Sequence, residues 1–200
     1  MGTYGITSAA NTFVDMKRTF TSLEFGLMVG IGGGVPSKTD VRLGDVVVCR
    51  PSAGESGVIQ YDFGKMLSTG AFQRTGYLNE PPRLLLNALN HIESEYKIGN
   101  GSIGQIIADV LDRNEFMRKE FSRPEDDWLF DAAYDHQGCG ESCHACDMAQ
   151  LVHRKPRGSD NPSIHYGLIA SGNSLLRDAV SRDRMLERTI SCASKWRLQA

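Results

Sequence analysis

A chain of 200 residues with 40% hydrophobic and 23% charged residues has the composition of one folded domain, which excludes a disordered, coiled-coil or collagen-like protein. The formal net charge of −2 and the pI near 6.2, without a basic stripe, argue against electrostatic binding of nucleic acid. No apolar run approaches the roughly 18 residues that cross a bilayer, and five cysteines without an export sequence indicate reduced thiols, so we expect a cytoplasmic protein that does not contact membranes.

The first quarter of the chain predicts a helix and two strands. Small residues with a polar start predict the helix over residues 7–17. The apolar run 25–30, which ends in glycine, predicts a strand buried on both faces, and the β-branched run 43–49 predicts a second strand. The abrupt start before the helix leads us to expect that an upstream strand of the domain is missing from this chain.

The middle of the chain predicts turns followed by helices. Residues 51–79 are rich in glycine and proline and predict turns with a short strand. Asn79 as the N-cap, with proline in the first turn, predicts a helix that carries leucines, Ile92 and Tyr96 at helical spacing. Two further helices are predicted over residues 103–111 and 114–121.

The last part of the chain predicts an insertion, a strand and a helix. Residues 122–160 carry acidic residues, a cluster of cysteines and histidines, and a basic trio of Arg154, Lys155 and Arg157. This composition predicts a surface insertion in which the basic trio forms a solvated patch. The run 164–170 predicts a strand, followed by a helix through Glu187. Strands and helices alternate, so the fold class is α/β. We expect one domain over residues 1–188 and a divergent tail over 189–200.

The cysteine and histidine cluster offers four soft metal ligands within eleven residues. Two interpretations stay open: the ligands bind zinc, or they are free thiols in a surface insertion, since structural zinc sites usually join two ligand pairs across a longer loop. The candidate ligands are His136, Cys139, Cys143 and Cys146. No other cofactor is expected. His91 and His165 lie in apolar patterns typical of packed core residues.

The glycine cluster of residues 30–36 suggests a backbone that approaches an anion or a nucleotide. It fits neither the dinucleotide pattern, whose last glycine would fall at Val35, nor the P-loop pattern, whose second glycine would fall at Ser37. Both patterns also require a helix directly after the loop, where this chain continues into a strand. The alternative is that these glycines only form a tight connection between two strands.

Four segments together resemble one family. They are GTYGITSAA at residues 2–10, GLMVGIGGGVP with RLGDVVV at 26–36 and 42–48, QYDFGK at 60–65, and IHYGLIASGN at 164–173. These segments resemble the purine and uridine phosphorylase superfamily, which includes the methylthioadenosine and S-adenosylhomocysteine nucleosidases, and in particular its fungal branch, often fused to ankyrin repeats or NACHT-type ATPase modules. The resemblance covers residues 2–188 and implies a three-layer α/β/α sandwich around a mixed central sheet, here incomplete at both ends.

The resemblance implies a domain that recognises purine nucleosides and, in complete relatives, cleaves their N-glycosidic bond. The relatives' catalytic acidic segments, an early Glu, a Glu in an E-M-E motif and a late Asp, are not recognisable in this chain. Ile31 replaces a common Ser or Thr hydroxyl and Met28 replaces an Arg of the hexameric phosphorylases, which favours hydrolysis over phosphorolysis. The resemblance places the following residues in the ligand wall: Gly30, Ile31, Gly32, Gly33, Ser171, Gly172, Asn173 and Leu175.

Three functions therefore stay open. The first is a nucleosidase or phosphorylase, and the second is a non-catalytic module that binds a nucleoside or a partner protein within a fungal multidomain signalling protein. The third is a zinc-dependent interaction module.

The role of Asn173 also stays open: its side chain either contacts a base edge or caps the next helix. An incomplete sheet would expose apolar surface, so we also expect self-association, with a homo-oligomer as one form.

Overall fold

The computed structural model of the chain describes residues 6–52, 54–69, 72–120, 127–138, 143–173, 176 and 178–185. Four α-helices are α1 (Ile6–Thr19), α2 (Arg83–Lys97), α3 (Ile103–Arg113) and α4 (Glu115–Glu120). Residues 179–185 are also helical. Two short 3-10 helices, Cys143–Ala145 and Met148–Gln150, lie in the predicted insertion. None of the helices in these ranges is long and apolar enough to cross a membrane.

The helices lie where their apolar spacing predicts them, but the start of α2 differs. The helix begins at Arg83 after Pro82 as the N-cap, and no side chain caps it, so the prediction of an Asn79 cap is wrong. Proline lacks a backbone N–H and fixes φ, which suits this boundary without a capping side chain. Leu85, Leu89 and Tyr96 are half-buried, whereas Ile92 is exposed.

In the part of the chain that the structure describes, six strands form three two-stranded sheets. The strands are β1 (Val46–Cys49), β2 (Val58–Gln60), β3 (Gly64–Met66), β4 (Phe72–Arg74), β5 (Ile164–Gly167) and β6 (Ile169–Ser171). β1 pairs with β5 and β2 with β6, both in parallel, and β3 pairs with β4 in an antiparallel hairpin. The predicted strand over 164–170 is therefore two strands with a break at Leu168. The described residues combine helices with small sheets, as an α/β chain does, and contain no single central sheet of the predicted sandwich.

The break at Leu168 still leaves the two parallel pairs hydrogen-bonded to the same stretch of chain. Val46 pairs with Ile164, and Val58 pairs with Ile169. Between them, the backbone N–H of Arg50 donates to the Gly167 carbonyl at 2.9 Å, and that of Ile169 donates to the Gly57 carbonyl at 2.8 Å. The two small sheets are therefore consecutive parts of one discontinuous ladder.

The predicted buried strand over residues 25–30 is wrong. These residues are irregular, and the side chains of Met28, Val29 and Ile31 are 89%, 92% and 107% exposed. A strand needs a hydrogen-bonded neighbour, and none of the described strands pairs with this run. The apolar composition that predicted burial is present, but the partner that would cover it is not among the described residues.

The described residues bury little apolar surface. Ile59 and Cys146, each 7% exposed, are the buried hydrophobic residues within the described ranges. Many large hydrophobic residues in these ranges are exposed, among them Phe20, Met28 and Ile31 at 57%, 89% and 107%. Ion pairs add to the hydrogen-bonded strand pairs in joining the elements.

One such contact joins α2 to the first parallel pair. Arg50, directly after β1, forms an ion pair with Glu93 of α2 at 2.5 Å and a hydrogen bond with Asn90 at 3.2 Å. Its guanidinium also lies 4.6 Å from the ring centroid of Tyr166 on β5. A planar cation can hold a carboxylate in its plane and an aromatic ring on its face at once, so Arg50 fixes α2 against the sheet.

Candidate functional site

The strand-end turn, residues 171–173, lies beside the residues that follow β2. Because β2 and β6 are parallel, with Gln60 paired to Ser171, their carboxyl ends reach the same edge. The backbone N–H of Tyr61 donates to the Ser171 carbonyl at 3.0 Å. Ligands of α/β proteins commonly bind at such an edge. The structure thus places the predicted residues Ser171, Gly172 and Asn173 against residues 60–62.

Asp62 is a functional candidate that the sequence analysis missed. Its carboxylate accepts a hydrogen bond from the Gln60 amide at 3.3 Å and another from the backbone N–H of Asn173 at 2.6 Å. The short bond to Asn173 fixes the start of the turn. The residue lies in the QYDFGK segment that carries the resemblance, and membership of this segment could have identified it.

Gly172 has a steric role at this edge. A Cβ at this position would lie 2.6 Å from Cζ of Tyr61, closer than a side chain allows. The glycine therefore lets the strand-end turn approach the tyrosine ring. Leu175, the last predicted residue of this wall, lies outside the described residues.

The predicted glycine loop, residues 30–33, is open to solvent. A Cβ on Gly30, Gly32 or Gly33 would meet no atom within 4 Å, and Ile31 is fully exposed. Farther along, Nη1 of Arg182 donates to the Gly34 carbonyl at 3.4 Å, which links the end of the loop to the helix over 179–185. The described structure does not pack Gly30–Gly33 against the strand-end turn.

Three of the four predicted metal ligands come together. One ligand atom each of His136, Cys143 and Cys146 lies within 4.8 Å of the others. The imidazole is exposed, Cys143 is half-buried and Cys146 is buried. Burial raises the pKa of the Cys143 thiol, and the neighbouring Cys146 raises it further. Cys139 lies outside the described residues.

A second carboxylate that the sequence analysis missed is Asp45, whose side chain is 1% exposed at the start of β1. It accepts hydrogen bonds from the backbone N–H groups of Arg42 and Ser163 at 2.9 and 3.0 Å. It also pairs with Nε2 of His165 at 2.9 Å and with the guanidinium of Arg157. We call these five residues the Asp45 cluster.

The surroundings of Asp45 set its charge. Burial alone would raise the pKa of Asp45, but the hydrogen bonds from His165, Ser163, Arg42 and Arg157 outweigh it and lower the pKa to about 2. The carboxylate is ionised at neutral pH and surrounded by donors. Such a group holds the amino ends of β1 and β5 together and has no proton to give to a substrate.

Two predictions differ from the structure: that the histidines pack in an apolar core, and that the basic trio is a solvated patch. His165 is half-buried and hydrogen-bonded to Asp45 rather than packed in an apolar core, while His91 is exposed. The basic trio is not simply a solvated patch, because the side chains of Arg154 and Arg157 are 13% and 12% exposed and pair with aspartates. These aspartates lie far away in the sequence, so the charge run alone could not show the pairing.

Two clefts of the described structure lie away from the predicted ligand wall. One of about 330 Å³ lies between residues 131–133 and the helix over 179–185. Another, of about 200 Å³, lies beside the Asp45 cluster and is smaller than the roughly 300 Å³ of a typical ligand pocket. We regard the strand-end turn as the better candidate for recognition, because its polar groups converge at the carboxyl edge of two parallel strands.

Comparison with known proteins gives one informative relative. A protein of the fungus Hyaloscypha variabilis described as a "Nucleotide-binding leucine-rich repeat (NLR)-like protein" is 43% identical over 185 residues. The match spans 92% of this chain and 18% of that protein. No family model and no solved structure matches the chain. The chain is thus similar to a short part of a long fungal protein.

Proposed function

We propose that this chain is a non-catalytic recognition domain of a fungal multidomain signalling protein, and that its ligand is a purine nucleoside or a related small molecule. The NLR-like relative supports the multidomain context, because it is several times longer than the matched region. The four segments that resemble the nucleoside phosphorylases support the ligand class. In this proposal the two parallel strand pairs belong to a phosphorylase-like sandwich, and the domain works in the cytoplasm.

The observation that carries the non-catalytic proposal is the environment of Asp62. Its carboxylate lies beside the strand-end turn, and each of its two oxygens accepts a hydrogen bond from the protein. A general acid must instead present a proton to the departing base. Asp62 therefore suits the role of shaping the turn around a ligand.

The glycine loop supports the same proposal. Ile31 stands where the resembled family commonly has a hydroxyl, and its exposed alkyl group cannot donate a hydrogen bond to water or phosphate. The open backbone at Gly32 and Gly33 can still approach a ribose. Binding without bond cleavage is consistent with both features.

A second candidate is a hydrolytic nucleosidase. Asp62 favours it, because the carboxylate lies 2.6 Å from the backbone nitrogen of Asn173, next to the predicted ligand wall. A carboxylate near the ribose is one requirement for cleavage through an oxocarbenium-like transition state. In this candidate, water attacks the anomeric carbon and the purine leaves with a proton.

Calorimetric titration of the full chain with purine nucleosides, with uridine as a control, tests binding. Chromatography of the same mixtures, with and without phosphate, tests release of the free base. We expect purine nucleosides to bind and no base to be released above the uncatalysed rate. Base release with turnover would establish the second candidate, and failure of every purine nucleoside to bind would contradict the proposal.

A matched pair of variants locates the site. Asn173→Ala removes a side chain that can donate to and accept from a base edge, and we expect affinity to fall about 2- to 13-fold, the value of one hydrogen bond. Asn87→Ala removes the same exposed amide from α2 and should leave affinity unchanged. Equal affinities of the two variants would show that the strand-end turn is not the binding site.

A further inference from the structure

The insertion contains a second candidate site whose geometry is close to that of bound zinc. Zinc–sulfur bonds of about 2.3 Å and zinc–nitrogen bonds of about 2.0–2.1 Å place tetrahedral ligand atoms about 3.5–3.8 Å apart. The ligand atoms of His136, Cys143 and Cys146 lie within 4.8 Å of one another. Shifts of about 1.3 Å or less per pair, which side-chain rotations can supply, would bring them to bonding geometry.

Hydrogen bonds on both sides of the cluster position these residues. The backbone N–H of Cys146 donates to the Cys143 carbonyl at 3.0 Å, which closes the turn that carries both thiols. The next backbone N–H, of Asp147, donates to the Tyr134 hydroxyl at 2.7 Å. Tyr134 precedes His136 by two residues, so this bond ties the histidine segment to the cysteine turn.

The base of the insertion is also closed. The backbone N–H of Val152 donates to the Leu129 carbonyl at 2.8 Å, and that of Asp131 donates to the Gln150 carbonyl at 2.9 Å. These bonds pair the segments that lead into and out of the site. The described part of the insertion therefore has a defined backbone around the three side chains.

The donor set indicates which ion would bind. Two thiols and an imidazole are soft and borderline ligands, which suit zinc and not the hard cations magnesium and calcium. Cys146 is buried and His136 is exposed, so an ion at this position would have a sulfur-rich inner side and an accessible outer side. Three protein ligands leave one position of a tetrahedral ion for another ligand.

We propose that His136, Cys143 and Cys146 bind a zinc ion in the insertion. The thiols lose their protons to solvent when zinc binds, and no oxidant or reductant is involved. The proposal is independent of nucleoside recognition, since the site shares no residue with the strand-end turn. Its success or failure therefore leaves the proposed function untouched.

The test measures zinc bound to the full chain and to matched variants. Chain prepared under reducing conditions is equilibrated with zinc, dialysed and assayed by mass spectrometry of the metal, and affinity is obtained by competition with a chromophoric chelator. We expect about one zinc per chain. His136→Ala and Cys143→Ser should weaken zinc binding more than about 100-fold, beyond the usual effect of a supporting residue.

Two controls separate ligation from general disturbance. His144→Ala removes an exposed imidazole from the 3-10 helix Cys143–Ala145, which also carries Cys143. Cys49→Ser removes a thiol from β1. Both variants should retain zinc. Because His136 is exposed, its removal does not open a cavity, so its effect reports ligation. Cobalt bound to the wild type should show thiolate charge-transfer absorption, and Cys143→Ser should lose part of it.

Three results would overturn the proposal. The first is a wild-type chain that holds no zinc after equilibration, and the second is unchanged affinity in both His136→Ala and Cys143→Ser. The third is loss of zinc in His144→Ala with retention in His136→Ala, which would assign the ion to a different set of ligands.

Discussion

Replacing Asp45 with asparagine should destabilise the protein strongly, although Asp45 is not part of the proposed recognition site. The drop of its pKa from 3.8 to about 2 corresponds to about 2 kcal/mol of stabilisation at neutral pH. The variant also leaves the largely buried guanidinium of Arg157, whose Nε and Nη1 already lack a partner, without its carboxylate. Breaking a fully buried pair costs about 3–5 kcal/mol; the Arg157 side chain is 12% exposed and both figures describe the same interactions, so we expect a loss of about 2–4 kcal/mol.

Urea unfolding, followed by circular dichroism, measures this loss. For an m-value of about 2 kcal/mol/M, the midpoint of the Asp45→Asn variant should fall by about 1–2 M at pH 7. Because the pKa of Asp45 is lowered on folding, its stabilisation is complete above the unfolded pKa and is lost as the pH falls through about 2. The difference between wild type and variant should therefore shrink between about pH 5 and pH 2.

Asp40 provides the matched control for Asp45. Its side chain is 52% exposed and pairs with Arg42 at 2.6 Å, so Asp40→Asn should cost less than about 1 kcal/mol because solvent screens an exposed pair. If Asp45→Asn lowered the free energy of unfolding by less than about 0.5 kcal/mol, or no more than Asp40→Asn, the stabilising role of the cluster would be refuted.

Three further predictions concern packing. Arg50→Ala should lower the urea midpoint more than Lys97→Ala, because Arg50 contacts side chains on two other elements and Lys97 is 73% exposed; equal midpoints would contradict this. Gly57→Ala should lower the free energy of unfolding by about 1 kcal/mol or more, because φ of Gly57 is +101° and the added Cβ would lie 2.5 Å from Sγ of Cys49. Gly158→Ala is the control: the added Cβ would have no atom within 4 Å, so the free energy of unfolding should change by less than about 0.5 kcal/mol. The exposed apolar surface should cause the isolated chain to self-associate, and a monodisperse monomer by light scattering would argue against this.

Local patterns predicted the local structure of this chain well. Apolar residues at helical spacing predicted α2 and α3, and a β-branched run predicted β1, because these features depend on a few neighbouring residues. The three described ligands of the insertion are also close in the sequence, so spacing alone nominated them. The run 25–30 has equally strand-like composition, but whether it pairs depends on a distant neighbour.

Long-range electrostatics could not be predicted in the same way. Asp45 and His165 are 120 residues apart, and no local sequence pattern shows that these two side chains are partners. Only the parallel pairing of β1 and β5 brings them together. The contact of Asp62 with Asn173 could not be predicted for the same reason, because it spans 111 residues.

The pairing of β1 with β5 has a consequence for how the chain tolerates change in length. Val46 and Ile164 close a long loop that includes α2, α3 and the insertion. The entropy of closing such a loop grows only with the logarithm of its length, so doubling it would cost about 0.6 kcal/mol. That cost is smaller than the contribution expected from Asp45 alone, so we expect that segments within this loop can be lengthened while the strand ends stay joined.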